Sequence, residues 1–424
     1  MDYLVLPRAK EVRGAVRAPS SKSATNRALL LASLSSEPVE IVRPLGSGDT
    51  AALLGCLRAM GARISEAPDA VTLSGPLSAG TFRETLLDAG DSGTAARFLA
   101  AVCAAIPGRF RLDGSQRLRE RPMEELVASL RSAGAEISCP RQEGFLPLAI
   151  RGGTLLSGAI SVDAGRSSQF LSALLLAAVA VPGGLTVRST GGVASAPYVE
   201  ATLEALEAFG HEVRRHADAF AVRRGGAGPN RYEVPGDHSS AVPLLAAAGA
   251  AGGSVTVVGV SRHSRAADAR ALAVLERMGI ALEAGPDRVT ATAVPGSLRP
   301  VEVEATDFPD SVPPLAALAA LARGESRFGG IGHLRFKESD RIGALATLIA
   351  AAGGEARAAE TELVVAGGLP SGGALAVLPT SRDHRIAMAA ALLSLARGHC
   401  LIEDPGCVAK SYPGFFRDLA GLAR

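Results

Sequence analysis

Ser167-Ser168-Gln169-Phe170-Leu171-Ser172-Ala173-Leu174-Leu175-Leu176-Ala177 is the stretch that decides the fold. Small hydroxyl residues open it and an Ala/Leu run follows at once, so it reads as a buried helix whose free N–H groups are capped by serine. Comparable clusters, Lys22-Ser23, Ser92-Gly93-Thr94, Ser239-Ser240, Asp310-Ser311 and Asp383-His384-Arg385, stand before similar runs. The spacing is roughly 70 residues, the mark of a repeated folding unit. Pro243, Pro313 and Pro314 are expected in first helical turns, where a missing N–H is tolerated.

A second helix is predicted between the clusters. Gly61, Gly134, Gly210, Gly279 and Gly353 follow Leu57, Leu130, Leu206, Leu275 and Ile349 by four positions, and Leu54, Val127, Leu203 and Leu272 precede the first four of these by three. This is one apolar helix face ended by a glycine C-cap. Alternating segments follow, such as Arg63-Ile64-Ser65 with Val71-Thr72-Leu73 and Glu212-Val213-Arg214 with Phe220-Ala221-Val222, and read as hairpins. The chain is therefore expected to be α/β, in two similar domains of three units each. One spans 19–236; the other spans 237–424 and takes in an N-terminal strand from 1–18, with the break near Pro235-Gly236-Asp237. Gly225-Gly226-Ala227-Gly228 reads as a turn ahead of that break.

Composition agrees with this reading and excludes others. The chain has 424 residues, more than a single core organises. Apolar residues make up 47% and charged residues 20%, leaving no room for long disordered tails. With 4% aromatics, no Trp and a net charge of +2, a stacking surface or a general basic field for nucleic acid is poorly provided. Cys56, Cys103, Cys139, Cys400 and Cys407 lie far apart, which argues against a zinc site or a disulfide framework. The N-terminus lacks the apolar core of a signal peptide and no run is long enough to span a bilayer, so a cytoplasmic protein is expected.

The chemistry is carried by cations at turns and helix starts. Pro19-Ser20-Ser21-Lys22-Ser23-Ala24-Thr25-Asn26-Arg27 sets two cations and several hydroxyls where the chain enters a helix, an arrangement suited to phosphate or carboxylate. Glu120-Arg121-Pro122, Lys337-Glu338-Ser339-Asp340-Arg341, Asp383-His384-Arg385 and Val408-Ala409-Lys410-Ser411 repeat the theme. Taken alone, each reads more readily as a salt-bridged loop.

These segments, with Ser92-Gly93-Thr94-Ala95 and Arg97, Ser195-Ala196-Pro197-Tyr198 and Phe308-Pro309-Asp310, closely resemble the 3-phosphoshikimate 1-carboxyvinyltransferase (5-enolpyruvylshikimate-3-phosphate synthase) family over essentially the whole chain. The resemblance implies an enolpyruvyl transferase fold: an inside-out α/β barrel of two domains, each of three βαββαβ units around buried helices, with the active site in the cleft between them. It implies transfer of the enolpyruvyl group of phosphoenolpyruvate to the 5-hydroxyl of shikimate 3-phosphate, with release of phosphate, on the route to chorismate and aromatic amino acids. No metal or organic cofactor, no nucleic acid and no membrane are implied, and a monomer is expected.

By position, Lys22, Ser23, Arg27, Ser167, Ser168, Gln169, Ser195, Tyr198, Asp310 and Lys337 would hold shikimate 3-phosphate. Lys22, Gly93, Arg121, Gln169, Arg341, Arg385 and Lys410 would hold phosphoenolpyruvate. Asp310, also read as a helix N-cap, would take the hydroxyl proton, and either Lys22 or Glu338 would protonate the methylene carbon. Two phosphates and two carboxylates bring about −5 to −6, against seven cations and the carboxylates of Asp310 and Glu338. Without ligands the cations should repel, and binding should draw the halves together.

Two positions depart from the commonest family pattern. His333 replaces an Asn, and reads equally as a surface-loop histidine. Phe98 replaces a Pro close to Gly93, the residue whose small size leaves room for glyphosate. The nearest rival is the sister activity on UDP-N-acetylglucosamine, which has Lys-Asn in place of Lys22-Ser23 and a loop cysteine; here that loop is Gly114-Ser115-Gln116-Arg117-Leu118-Arg119.

Overall fold

In the computed structural model, which describes residues 2–75, 77, 84–216, 218–226, 228–370 and 372–424, each of the six polar clusters opens a helix. These helices are Lys22–Leu34, Gly93–Ala105, Ser168–Ala177, His238–Ala251, Val312–Leu321 and His384–Arg397. Ser21, Ser92, Ser167, Asp237 and Asp383 cap them through side-chain oxygens that accept from backbone N–H groups in the first turn. Their interiors are apolar on every side: Leu29, Leu30 and Leu31, which point about 100° apart, are each fully buried.

Second helices fall where the leucine spacing predicts them, at Gly48–Ala59, Glu124–Ser132, Pro197–Ala208, Ala271–Arg277 and Arg341–Ala351. The glycine two residues beyond each has a φ between 77° and 93°, a backbone state in which a side chain is strained. The Ala227 position of the predicted turn lies outside the described residues.

Contacts divide the chain into two compact units, a discontinuous one (Met1–Pro19 with Gly236–Arg424) and a continuous one (Ser20–Pro235). Among the described residues each has three small sheets and its own apolar core. In the second sheet of the continuous unit, Glu84–Asp88 pairs parallel with Gly108–Asp113, which pairs antiparallel with Leu148–Gly152, and Glu136–Ser138 forms the edge. The order within the unit is thus βαβαββ, in place of the expected βαββαβ. The buried helix makes the crossover that joins two parallel strands, the half-buried helix follows, and only then comes the hairpin.

Strands distant in sequence complete the sheets. Arg231–Glu233 runs parallel to Val39–Val42, closing the continuous unit on itself. Val12–Arg17 runs parallel to Gly253–Val258, while Tyr3–Val5 pairs antiparallel with Cys400–Glu403, so the first 17 residues serve two sheets of the discontinuous unit.

Pro243 differs from expectation. It is the sixth residue of its helix, beyond the first turn. Among the described residues no helix is long and apolar enough to cross a membrane.

Candidate active site

In the continuous unit the predicted residues gather at the N-terminal turns of the buried helices, where free N–H groups and the helix dipole favour anions. Lys22 is the first residue of its helix, and its Nζ lies 3.1 Å from Asp49 Oδ2. Arg27 is 2% exposed and turned inward. Its Nη1 donates to the carbonyl and hydroxyl of Ser23, its Nε to Thr202 Oγ1 at 2.8 Å and its Nη2 to the Tyr198 carbonyl at 3.0 Å. The guanidinium also lies over the Phe98 ring, 5.3 Å from its centroid. Burial lowers the Arg27 pKa to about 10. Arg27 therefore ties Ser23 to the Tyr198 turn, where Ser195 adopts a positive φ of 57° and is buried.

Gly93 and Arg121 form the sharpest feature of this unit. A Cβ added to Gly93 would fall 2.6 Å from Arg121 Nη1 and 2.8 Å from Arg97 Nη1. Two guanidinium groups thus lie against one helix N-terminus, in space that only glycine leaves open. Arg121 is buried, its Nε has no hydrogen-bond partner, and among the described residues no carboxylate pairs with it. Arg97 Nη1 donates to Gln169 Oε1 at 2.6 Å, and Gln169 Nε2 donates to Thr94 Oγ1 at 3.1 Å. Gln169 is thereby fixed beside the arginines, on a helix whose start is capped by Ser167 and includes the buried Ser168.

The discontinuous unit is organised around Arg341, which is 1% exposed. Its Nη1 donates to Asp310 Oδ1 at 2.6 Å, its Nε to Asp383 Oδ2 at 2.8 Å and its Nη2 to Glu338 Oε2 at 3.1 Å. Arg385 Nη2 lies 3.6 Å from Asp310 Oδ2, and Lys410 Nζ lies 3.7 Å from Glu338 Oε1. Burial would raise the Asp310 pKa, but Arg341, then Arg385 and Lys337, overcome it and hold the carboxyl well below the usual range. Burial raises the Arg341 neighbourhood's cost as well, yet its carboxylates, Asp383 first, keep the guanidinium firmly charged.

Three expectations are corrected here. The helix after Asp310 starts from Ser311, and neither side chain makes a cap hydrogen bond there; the Asp310 carboxylate is engaged by arginine instead. The cations of this unit do not face one another unscreened, since Asp310, Glu338 and Asp383 lie among them. His333 is no surface-loop residue: its Nε2 is buried without a partner, and burial, then Lys337, lowers its pKa to about 3.

Sequence reasoning missed Asp49, Asp383, Ser239 and Asp268 as site residues. Asp383 carried a signal, since it caps the helix that begins His384-Arg385. Asp268 carried none. It is 3% exposed and accepts from Ser311 Oγ at 2.7 Å, and burial, then the Asp310 charge, raises its pKa to about 7.

Comparison with known proteins places the chain in one family. The family model of EPSP synthase (3-phosphoshikimate 1-carboxyvinyltransferase) matches residues 7–419. A 3-phosphoshikimate 1-carboxyvinyltransferase of Thermococcus kodakarensis is 43% identical over 414 residues, covering 97% of this chain and 98% of its own. One of Salmonella heidelberg is 37% identical over 431 residues, covering 100% and 99%. The solved structure of EPSP synthase from Acinetobacter baumannii superposes with a TM-score of 0.78 at 27% identity, covering 99% of this chain and 98% of that one. With a family match over nearly its whole length and relatives well above 30% identity, the chain belongs to the EPSP synthase (3-phosphoshikimate 1-carboxyvinyltransferase) family.

Proposed function

We propose that the two basic clusters together perform the reaction of the family: the enolpyruvyl group of phosphoenolpyruvate passes to the 5-hydroxyl of shikimate 3-phosphate, and phosphate leaves. The observation that carries this reading is the convergence of Asp310 and Glu338 on the buried Arg341, which sets a candidate base and a candidate acid around one anion-binding cation. Arg121, Arg341, Arg385 and Lys410 bind the phosphate and carboxylate of phosphoenolpyruvate. Ser23, Ser167, Ser168, Gln169, Ser195, Tyr198 and Lys337 hold shikimate 3-phosphate, with Arg27 fixing Ser23 and Tyr198 from behind.

In the addition step the 5-hydroxyl oxygen bonds to C2 of phosphoenolpyruvate and its proton goes to the Asp310 carboxylate. The methylene carbon takes a proton from Lys22 or Glu338, giving a tetrahedral ketal. In the elimination that carbon returns its proton to the same side chain, the C–O bond to phosphate breaks, and the leaving phosphate takes up the proton held by Asp310. Asp310 clamped by Arg341 is a weak base. Substrate anions that neutralise Arg341 and Arg385 raise its basicity, so proton abstraction is turned on by binding.

The rival activity on UDP-N-acetylglucosamine has little support. Cys103 is fully buried, and burial raises its thiol pKa well above the ordinary value, so it is not a reactive loop cysteine. The test is phosphate release from phosphoenolpyruvate with shikimate 3-phosphate, run beside UDP-N-acetylglucosamine. Activity with the sugar nucleotide alone would overturn the proposal.

A further inference from the structure

The His238–Ala251 helix contributes no residue to the substrate contacts proposed above, yet its first turns are built around Arg385. Arg385 is 1% exposed. Its Nη1 donates to the Ser239 carbonyl at 2.8 Å, and its Nη2 donates to Ser239 Oγ. A helical carbonyl ordinarily accepts from the N–H four residues on. Four residues beyond Ser239 stands Pro243, within the helix, and proline has no N–H to give. The Ser239 carbonyl is therefore left without its intrahelical donor at the point where the guanidinium arrives.

The Ser239 hydroxyl is oriented by the same turn. It donates to Asp237 Oδ1, which also accepts from the Ser240 N–H as the helix cap. With its one proton committed to Asp237, the hydroxyl can only accept from Arg385. Asp310 Oδ2 lies 3.6 Å from the same Nη2. Ser239 is 5% exposed and Asp237 6% exposed, so water competes little for these bonds.

We propose that Ser239 and Pro243 are positioning residues that aim Arg385 at phosphoenolpyruvate, with Pro243 acting by leaving the Ser239 carbonyl open to the guanidinium. This rests on the reading that Arg385 binds phosphoenolpyruvate. Removing one hydrogen bond to a buried charged group corresponds to a change of about tenfold or more.

Steady-state kinetics of Ser239→Ala, Ser239→Thr, Pro243→Ala and Arg385→Lys in the full chain tests the proposal, with KM measured separately for each substrate. Ser239→Ala is expected to raise KM for phosphoenolpyruvate about tenfold, with kcat and KM for shikimate 3-phosphate within about twofold; Ser239→Thr restores it. Pro243→Ala supplies the missing N–H and raises the same KM by about threefold or more, while Tm stays equal or rises because alanine is the better helix residue. If Ser239→Ala and Pro243→Ala leave that KM unchanged while Arg385→Lys raises it, the positioning role is wrong and the reading of Arg385 stands. If Arg385→Lys leaves it unchanged, the reading of Arg385 fails and takes the positioning role with it. Equal rises in both KM values, or a fall in Tm for Pro243→Ala, would mark a merely structural effect and also overturn the proposal.

Discussion

Replacing Asp383 with Asn tests whether Arg341 is held by its carboxylates. Asp383 is fully buried; it accepts from Arg341 Nε at 2.8 Å, from Ser339 Oγ at 3.0 Å and, as helix cap, from Arg385 N at 2.9 Å. Asn can keep the cap through its Oδ1, but its amide N–H₂ then faces Arg341 Nε, a donor against a donor. Breaking a buried ion pair from one side costs about 3–5 kcal/mol. For a unit of about 200 residues, each kcal/mol corresponds to about 2–4 °C in Tm, so the transition of the discontinuous unit should fall by about 6–20 °C. Differential scanning calorimetry reads this directly. The double variant with Arg341→Met should lose less than the sum of the single losses, by about 1–3 kcal/mol, because the two side chains share one interaction. A shift under about 2 °C, or strict additivity, would refute the view that Asp383 anchors Arg341.

Asp310→Ala is expected to lower kcat by about 10²–10⁴-fold while titration calorimetry still shows binding of shikimate 3-phosphate; near-normal turnover would remove Asp310 from the proton transfer. Gly93→Ala puts a Cβ within 2.8 Å of two guanidinium nitrogens. Displacing Arg121 should raise KM for phosphoenolpyruvate by about tenfold, and an unchanged value would show that Arg121 is not the group that matters. The Asp268 carboxyl, raised to about 7 in the folded chain, holds its proton more tightly than in the unfolded chain. Its stabilising contribution is complete below the ordinary carboxylate value near about 4 and is lost as pH rises towards 7, up to about 4 kcal/mol in all. Asp268→Asn should therefore gain in Tm relative to the parent chain between pH 5 and 7.5, roughly the window of that titration. A pH-independent difference would sink this assignment.

Much of the local architecture was legible because it rests on short-range rules. A serine or aspartate before an Ala/Leu run favours a capped helix start, and a glycine four residues after the last buried leucine favours a helix end. These rules read correctly at Ser92, Ser167 and Asp383 and at Gly61 through Gly353. They failed at Pro243, which spacing placed in a first turn and the fold places one turn further on, and at Asp310, which looks like a cap and is an ion-pair partner. At Asp310 the deciding partner, Arg341, is a guanidinium from elsewhere in the chain.

The amino-acid sequence by itself determined that a unit repeats, where its buried helices start, and the family, since each depends on local order and motif. Only the tertiary structure decided how the strands of the chain ends complete distant sheets, with Val12–Arg17 against Gly253–Val258 and Tyr3–Val5 against Cys400–Glu403. It alone decided which charges meet: Asp49 on Lys22, Asp383 on Arg341, Ser239 on Arg385, and Arg121 with no carboxylate among the described residues. The physical reason is that charge pairing and sheet closure depend on distance in space, and residues far apart in the chain leave no local pattern of their meeting.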